Sequence, residues 1–294
     1  MKRYKKARLI ENDNGNKLSI VASVNDENDI YIDSRSKKPF GIEHGQDIVY
    51  MQELNQIEFI ATNKEKKSVL TFLAPNNVGI LLSIANKALQ RAQTIYDKKI
   101  DPNKHKHTDI LEAGTDSNLT ETTIMVYEYI ESIQTSIVFG YTAIEAFINL
   151  SIDDEYKYMN KNSKGITEVY DKKAIERWLS LQVKISEVLS EIYECKSIKQ
   201  DKIWNKFLQF EERRNQIIHQ KSIDVNSFYK EYFEHEIFEL CGVPQKVMQF
   251  FFEKGKEKEV TNALWPVVDP NCDMAIFKGP NAKFIEYIGI INDY

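Results

Sequence analysis

The chain has 294 residues, a length that permits one large domain or two ordinary ones. Its composition, 28% charged and 42% hydrophobic, is that of a globular protein, and the net charge of −5 argues against a surface that binds nucleic acid throughout. The basic N-terminus lacks the apolar run of a signal peptide and no segment is apolar enough to cross a membrane, so we expect a cytoplasmic protein with no membrane partner.

Neither the cysteines nor the clustered histidines have the spacing of a metal site. Cys195, Cys241 and Cys272 are odd in number and unpaired in spacing, which predicts reduced thiols. His105 and His107 have no cysteine or suitably placed carboxylate nearby, which favours a solvated loop. We therefore expect no metal and no cofactor.

Residues 1–100 are predicted to form a small antiparallel β-rich domain, arranged as a meander. Short alternating segments indicate strands at 17–23, 29–33, 47–53, 57–62 and 68–73, and Asn14-Gly15 predicts a hairpin turn. Residues 77–98 carry an apolar helical stripe that can cover one face of this sheet. We interpret this β-rich domain as a scaffold or recognition module without chemistry of its own.

A charged, turn-rich linker at 101–119 leads to a predicted antiparallel helical bundle at 120–254. Apolar residues recur at helical spacing over about seven turns from Thr120, and again at 171–195, where Trp178 is expected to pack against the core. Residues 153–170 are predicted to link helices, and Pro244 is expected to begin the last one. The extension at 255–294 has strand character at 265–268 and 284–291; it either returns to the N-terminal sheet or lies along another protein.

The segment 203–221 stands out because its last two turns are polar. Asn215 and His219 are four residues apart and share a helix face. Arg214 and His219 are five apart, which in a straight helix means ~140° of rotation and ~7.5 Å of rise. They meet on one phosphate only if the arginine wraps round, if the helix loosens before His219, or if a second copy faces the first. The alternative is a helix C-terminus whose basic residues (Arg213, Arg214, His219, Lys221) complement the macrodipole.

The segment Arg214-Asn215-Gln216-Ile217-Ile218-His219 resembles the Rx4–6H motif of the HEPN superfamily in its R-N-x-x-x-H form. The helix at 137–149, with its A-x-E-A-x-I-N run, is similar to the first long helix of such domains. The two helices occur in the right order, about seventy residues apart. The resemblance covers 120–254, and it implies a HEPN-like bundle that forms a homodimer.

This resemblance implies a metal-independent endoribonuclease that leaves a 2′,3′-cyclic phosphate, acting as a toxin or anti-phage defence effector. In it His219 moves the proton and Arg214 holds the phosphorane charge. Asn215 positions the phosphate or the imidazole. Glu145 either orients Arg214 or His219 or is an exposed helix carboxylate. Arg213 and Lys221 are expected to contact substrate, with Arg213 less important than Arg214.

Two other functions remain open from the sequence. The first is a non-catalytic HEPN-like module that binds a nucleotide or a protein. The second is a metal-dependent nuclease, which sensitivity to EDTA would indicate. Beyond RNA and a second copy, an antitoxin or sensor protein is an expected partner.

Overall fold

A computed structural model describes residues 6–9, 19–24, 31, 33–44, 46–60, 67–107, 119–161, 165–219, 225–257 and 275–278. The chain divides into two compact units, Met1–Gly79 with Thr261–Tyr294 and Ile80–Val260. The first unit holds a sheet and the second is mainly helical, so the predicted α+β class is confirmed. The predicted domain boundary at 101–119 lies mostly outside the described residues.

The sheet of the first unit is organised around one long strand, β4. Its strands are β1 (Lys6–Leu9), β2 (Ser19–Val24), β3 (Phe40–His44), β4 (Asp47–Ile60), β5 (Lys67–Leu73) and β8 (Ala275–Lys278). β1 and β2 follow each other along one edge of β4, and β3 and β5 follow each other along the opposite edge, all antiparallel to it. β8 is parallel to β3, so the C-terminal extension does return to this sheet.

The sheet differs from the predicted meander in three places. The strands predicted at 47–53 and 57–62 are one continuous β4. Tyr31 and Asp33 are described and lie outside any strand, which corrects the strand predicted at 29–33. Asn14-Gly15 lies outside the described residues, as do the segments 265–268 and 284–291, and β1 and β2 on either side of that turn both pair with β4.

The second unit contains eight helices and one hairpin among its described residues. The helices are α1 (Asn77–Ile95, begun in the first unit), α2 (Leu119–Ser151), α3 (Lys172–Trp178), α4 (Leu181–Val183, a π-helical turn Lys184–Val188, then Leu189–Ile192), α5 (Lys202–Ile218), α6 (Val225–Lys230), α7 (Glu236–Cys241) and α8 (Val243–Glu257). The hairpin pairs β6 (Lys157–Lys161) with β7 (Thr167–Asp171). In the described part of the chain, no helix is long and apolar enough to cross a membrane.

The contacts of α2 and α5 show which segments of the bundle run parallel to each other and which run antiparallel. Near the start of α2, Tyr129 Oη donates to the backbone oxygen of Tyr232 at 2.5 Å. Towards its end, Phe147 lies 6.4 Å from Phe251, ring centre to ring centre. The segment 232–251 therefore runs parallel to α2.

Helix α5 runs the other way along the same segment. Lys206 is 3.4 Å from Glu239, and Arg213, two turns later, forms an ion pair with the earlier residue Glu231. Helix α5 is thus antiparallel to both α2 and the 232–251 segment. This arrangement accounts for the core, which is formed by aromatic and aliphatic residues of all three: Tyr129, Ile133, Ile137, Ile144, Phe147, Phe207, Phe210, Val247 and Phe251.

Three predictions for the bundle are wrong. Residues 153–170 were expected to be a plain connector, but they contain β6 and most of β7. Trp178 was expected in the core, but its side chain is 67% exposed. The helix predicted at 171–195 breaks between α3 and α4, where Ser180 caps a new helix by accepting from the Val183 N–H at 3.3 Å. That break takes Trp178 off the apolar stripe.

Candidate active site

The site predicted from the sequence is built on the last two turns of α5. Asp201 begins this helix by accepting the Ile203 N–H at 2.9 Å. Trp204, Phe207 and Phe210 are buried, and this fixes the rotation of the helix. The apolar stripe then gives way to charged residues, so the end of α5 presents polar side chains.

Arg214 is held from two directions. Its guanidinium carbon lies 4.4 Å from the centre of the Tyr141 ring, a cation–π contact with α2. Its Nη1 donates to Asn215 Oδ1 at 2.9 Å. The side chain is half-buried, so the other edges of the guanidinium fork retain N–H groups that can bind an oxyanion.

His219 lies just beyond the end of α5. The helix ends at Ile218, and His219 has φ −112° and ψ 55°, outside helical geometry. Its N–H makes the last helical bond, donating to the Asn215 backbone oxygen at 2.9 Å. The residue is exposed, and its imidazole has no hydrogen bond to any residue in the described part of the chain. The helix stays intact up to this bond, so loosening before His219 is not seen, and the described residues show no hydrogen bond between His219 and Arg214.

Asn215 links these two residues. Its side-chain oxygen accepts from Arg214 and its backbone oxygen accepts from His219, both at 2.9 Å. The asparagine is itself exposed. Only the bond to Arg214 involves the side chain of Asn215; the bond from His219 is the ordinary last bond of the helix.

A second layer of contacts, absent from the sequence predictions, supports Arg214. Tyr141 Oη donates to Glu211 Oε1 at 3.0 Å, and Gln182 Nε2 donates to Glu211 Oε2 at 2.6 Å. Burial raises the pKa of Tyr141, and the neighbouring Glu211 carboxylate raises it further, so the phenol stays protonated as a donor. The sequence offered one signal for Glu211, since it precedes Arg214 by one helical turn.

Glu145 lies one turn after Tyr141 on α2 and is half-buried. The described residues show no hydrogen bond or ion pair between it and Arg214 or His219. Its charge acts instead on Tyr141 and on Lys184 of α4. Lys184 is buried and donates to the Glu176 backbone oxygen at 2.8 Å; burial lowers its pKa, and the charge of Glu145 acts in the opposite direction.

Arg213 faces away from Arg214. Its Nη1 donates to Gln216 Oε1 at 2.8 Å and its Nη2 pairs with Glu231, leaving the side chain 14% exposed. Burial lowers its pKa. Arg213 also lines a cleft between α5 and the 231–240 segment, so the structure places it in the helix packing. Lys221, the other expected substrate contact, lies outside the described residues.

Within the described ranges, no three His, Cys, Asp or Glu side chains are grouped so that they could hold a metal ion. Comparisons of the chain with protein-family models, with curated proteins and with solved structures found no match.

Proposed function

We propose that this protein is a metal-independent endoribonuclease of the HEPN type, a cytoplasmic toxin or anti-phage defence effector. In this proposal Arg214, Asn215 and His219 form the catalytic group, and a homodimer brings two such groups to one cleft. The β-rich unit senses a trigger, or restrains the nuclease together with an antitoxin or sensor protein.

The observation that supports the proposal is an arginine oriented by Tyr141 and Asn215 at the helix end that also carries the exposed His219. The His219 N–H makes the ordinary last helical bond to the Asn215 backbone oxygen, so the imidazole follows directly after the turn that holds Arg214. The exposed imidazole and the remaining guanidinium donors are then open to the same RNA linkage. A purely structural role at a helix C-terminus does not require Arg214 to be oriented by both Tyr141 and Asn215.

The chemistry needs only a nucleophile that RNA already contains. The ribose 2′-oxygen attacks the adjacent phosphorus while its proton passes to a neutral imidazole. The P–O5′ bond breaks, the 5′-oxygen takes up a proton, and the products are a 2′,3′-cyclic phosphate and a 5′-hydroxyl. Arg214 donates to the non-bridging oxygens, whose negative charge increases in the transition state. In a dimer, one His219 acts as the base and that of the second copy acts as the acid.

Tyr141, Glu211 and Gln182 serve as positioning residues in this scheme. Glu211 fixes the Tyr141 hydroxyl, and the Tyr141 ring supports the guanidinium of Arg214. A guanidinium held this way loses less side-chain entropy when it binds the phosphate. Glu145 acts through Tyr141 and Lys184, without a direct bond to the catalytic residues.

The test is cleavage of a labelled RNA in the presence of EDTA by the full-length chain. We expect His219→Gln to lower the single-turnover rate by about 10²- to 10⁴-fold and Arg214→Ala by about 10²- to 10³-fold. The matched controls are His235→Gln, at an exposed histidine before α7, and Arg91→Ala, at an exposed arginine of α1 paired with Glu128. Both controls should cleave at the wild-type rate.

Each contrary result indicates one of the alternatives. Cleavage that EDTA abolishes indicates a metal-dependent nuclease. A wild-type protein that binds RNA or a nucleotide but never cleaves RNA indicates a non-catalytic HEPN-like binding module. Equal rates for His219→Gln and wild type remove the histidine from the mechanism.

A further inference from the structure

Trp178 is an exposed aromatic side chain with a cation stacked on it. Its side chain is 67% exposed, although a buried tryptophan contributes more to stability than almost any other residue. The guanidinium carbon of Arg177 lies 4.8 Å from the centre of its ring. The described residues show no other ring contact for this tryptophan. The pair presents a flat aromatic surface and a positive charge at the C-terminal end of α3.

The same short helix carries a second exposed cation. Lys173 precedes Arg177 by four residues, so the two side chains project from one face of α3, and both residues are exposed. Lys172, in contrast, is 2.7 Å from Asp154, and this pairing neutralises its charge. Local positive charge beside an aromatic ring is the pattern of surfaces that bind single-stranded nucleic acid.

Two hydrogen bonds connect the helix that carries this surface to the candidate active site through α4. Gln182, four residues after Trp178, donates to Glu211, which also binds Tyr141 beneath Arg214. The Lys184 side chain of α4 donates a hydrogen bond to the backbone oxygen of Glu176 in α3. Four residues of chain span at most about 14 Å, so the Cα atom of Trp178 lies within about 14 Å of the Cα atom of Gln182, which contacts Glu211.

We propose that Trp178 and Arg177 bind an unpaired base of single-stranded RNA near the linkage held at Arg214 and His219, with Lys173 binding an adjoining phosphate. The base stacks on the free face of the Trp178 ring, and Arg177 holds the opposite face and binds the RNA backbone. The inference rests on the proposed ribonuclease function and names its substrate class. Stacking on an aromatic ring requires an unpaired base, so single-stranded RNA is preferred over a duplex.

The experiment measures binding of the full-length chain to a fluorescent single strand of about twelve nucleotides, within the usual site size of such surfaces. The strand is 2′-O-methyl RNA, which lacks the nucleophile and cannot be cleaved through it. We expect Trp178→Ala to weaken binding by about 5- to 100-fold. We also expect Arg177→Ala to reduce the slope of log K against log salt by about 0.7, the value for one phosphate contact on a single strand.

Two controls separate the specific effect from general damage. Tyr127→Ala removes another exposed aromatic side chain, 62% exposed on α2, and should leave binding unchanged. Trp178→Phe keeps an aromatic ring and should bind within a few-fold of wild type. Intrinsic tryptophan fluorescence gives a second readout, because RNA should quench the wild-type emission and should quench Trp178→Phe much less.

Unchanged binding by Trp178→Ala, or equal affinity of the wild type for single strand and duplex, overturns the inference. Weakened binding by Trp178→Ala with no cleavage of ordinary RNA by the wild type supports the binding surface and refutes the nuclease. Loss of cleavage in His219→Gln together with unchanged binding by Trp178→Ala supports the nuclease and refutes the binding surface.

Discussion

At the scale of single residues, Tyr141 connects the core to the candidate site. Its ring lies under the Arg214 guanidinium and its hydroxyl binds Glu211. Tyr141→Phe should lower the unfolding free energy by about 1 kcal/mol, the usual value of one hydrogen bond, and should slow RNA cleavage only a few-fold. Tyr141→Ala removes a buried ring and should cost about 3–5 kcal/mol and most of the activity. Urea unfolding and single-turnover cleavage test both; equal loss of activity in the two variants contradicts a supporting role for the ring.

Alanine substitution of the two neighbouring arginines is expected to have opposite effects: one mainly lowers stability, and the other mainly lowers the cleavage rate. Arg213 is mostly buried, so Arg213→Ala should lower the unfolding free energy by about 1–3 kcal/mol while leaving much of the cleavage rate. Arg214 is half-buried over Tyr141, so Arg214→Ala should lower stability by about 0.5–1 kcal/mol and slow cleavage by about 10²- to 10³-fold. Denaturant unfolding and the EDTA cleavage assay distinguish them. A larger loss of activity in Arg213→Ala than in Arg214→Ala shows that the wrong arginine was chosen.

Cys241 makes the free energy of unfolding depend on pH above about pH 9. Burial raises the pKa of its thiol to about 12, from an ordinary value of 9.0. Below pH 9 the thiol is protonated in both the folded and the unfolded chain and contributes no difference. Above pH 9 the unfolded chain loses this proton and the folded chain keeps it, so stability falls, by up to about 1.4 kcal/mol per pH unit.

Urea unfolding of the wild type and Cys241→Ala between pH 8 and pH 10 isolates this contribution. The variant will be less stable at pH 8, because it leaves a small cavity, but its stability should fall less steeply between pH 9 and pH 10. Tyr129 and Tyr232, whose pKa values burial also raises, contribute only at higher pH and are common to both proteins. Parallel curves for the two proteins across this range contradict a buried, protonated Cys241.

At the scale of elements, α2 approaches its neighbours most closely at Gly140. A Cβ added there would lie 2.7 Å from Pro244 Cγ and 3.4 Å from Phe210 Cζ. Gly140→Ala should therefore destabilise the protein by about 1–3 kcal/mol, although alanine favours a helix by about 1 kcal/mol. Gly242→Ala is the control, since the nearest atom to its added Cβ would be the Glu239 backbone oxygen at 3.4 Å, and φ is −81°. Thermal unfolding that shows Gly140→Ala to be as stable as wild type contradicts this packing.

The elements that the sequence predicted well are those with long, uniform periodicity. The apolar stripe of α2 continues for 33 residues, and the strong stripe of α5 ends where its charged residues begin. The missed elements depend on tertiary contacts. β6 and β7 are five residues each and bury Tyr158, whose hydroxyl binds Glu187 of α4, a contact invisible in the local pattern.

Prediction of the candidate site from the sequence has the same limit, because contacts between elements do not appear in the local pattern. Arg214, Asn215 and His219 were predicted because their order and spacing resemble a known motif, which can be seen in a local stretch of sequence. Glu211 and Gln182 were missed because their role depends on a hydrogen bond between α4 and α5. Trp178 was misplaced because a stripe of apolar residues at 175, 179 and 183 predicts one continuous helix, whereas the chain starts a new helix at Ser180.

At the scale of the whole molecule, the helical unit is inserted between the two parts of the sheet unit. β8 pairs with β3, so both ends of the chain contribute to one sheet, while all the candidate catalytic residues belong to the other unit. This division suits the proposal that the sheet unit senses or restrains and the helical unit cleaves.

The most direct test of the central claim is the chemistry of the product made in EDTA. A 5′-labelled RNA and the same sequence with 2′-O-methyl riboses are incubated with wild type, and the fragment ends are analysed by mass. We predict that the ordinary RNA is cut to fragments ending in a 2′,3′-cyclic phosphate and that the 2′-O-methyl RNA stays intact. Fragments with a 5′-phosphate, or cleavage of the 2′-O-methyl strand, would show that the ribose hydroxyl is not the nucleophile and would contradict the mechanism assigned to Arg214 and His219.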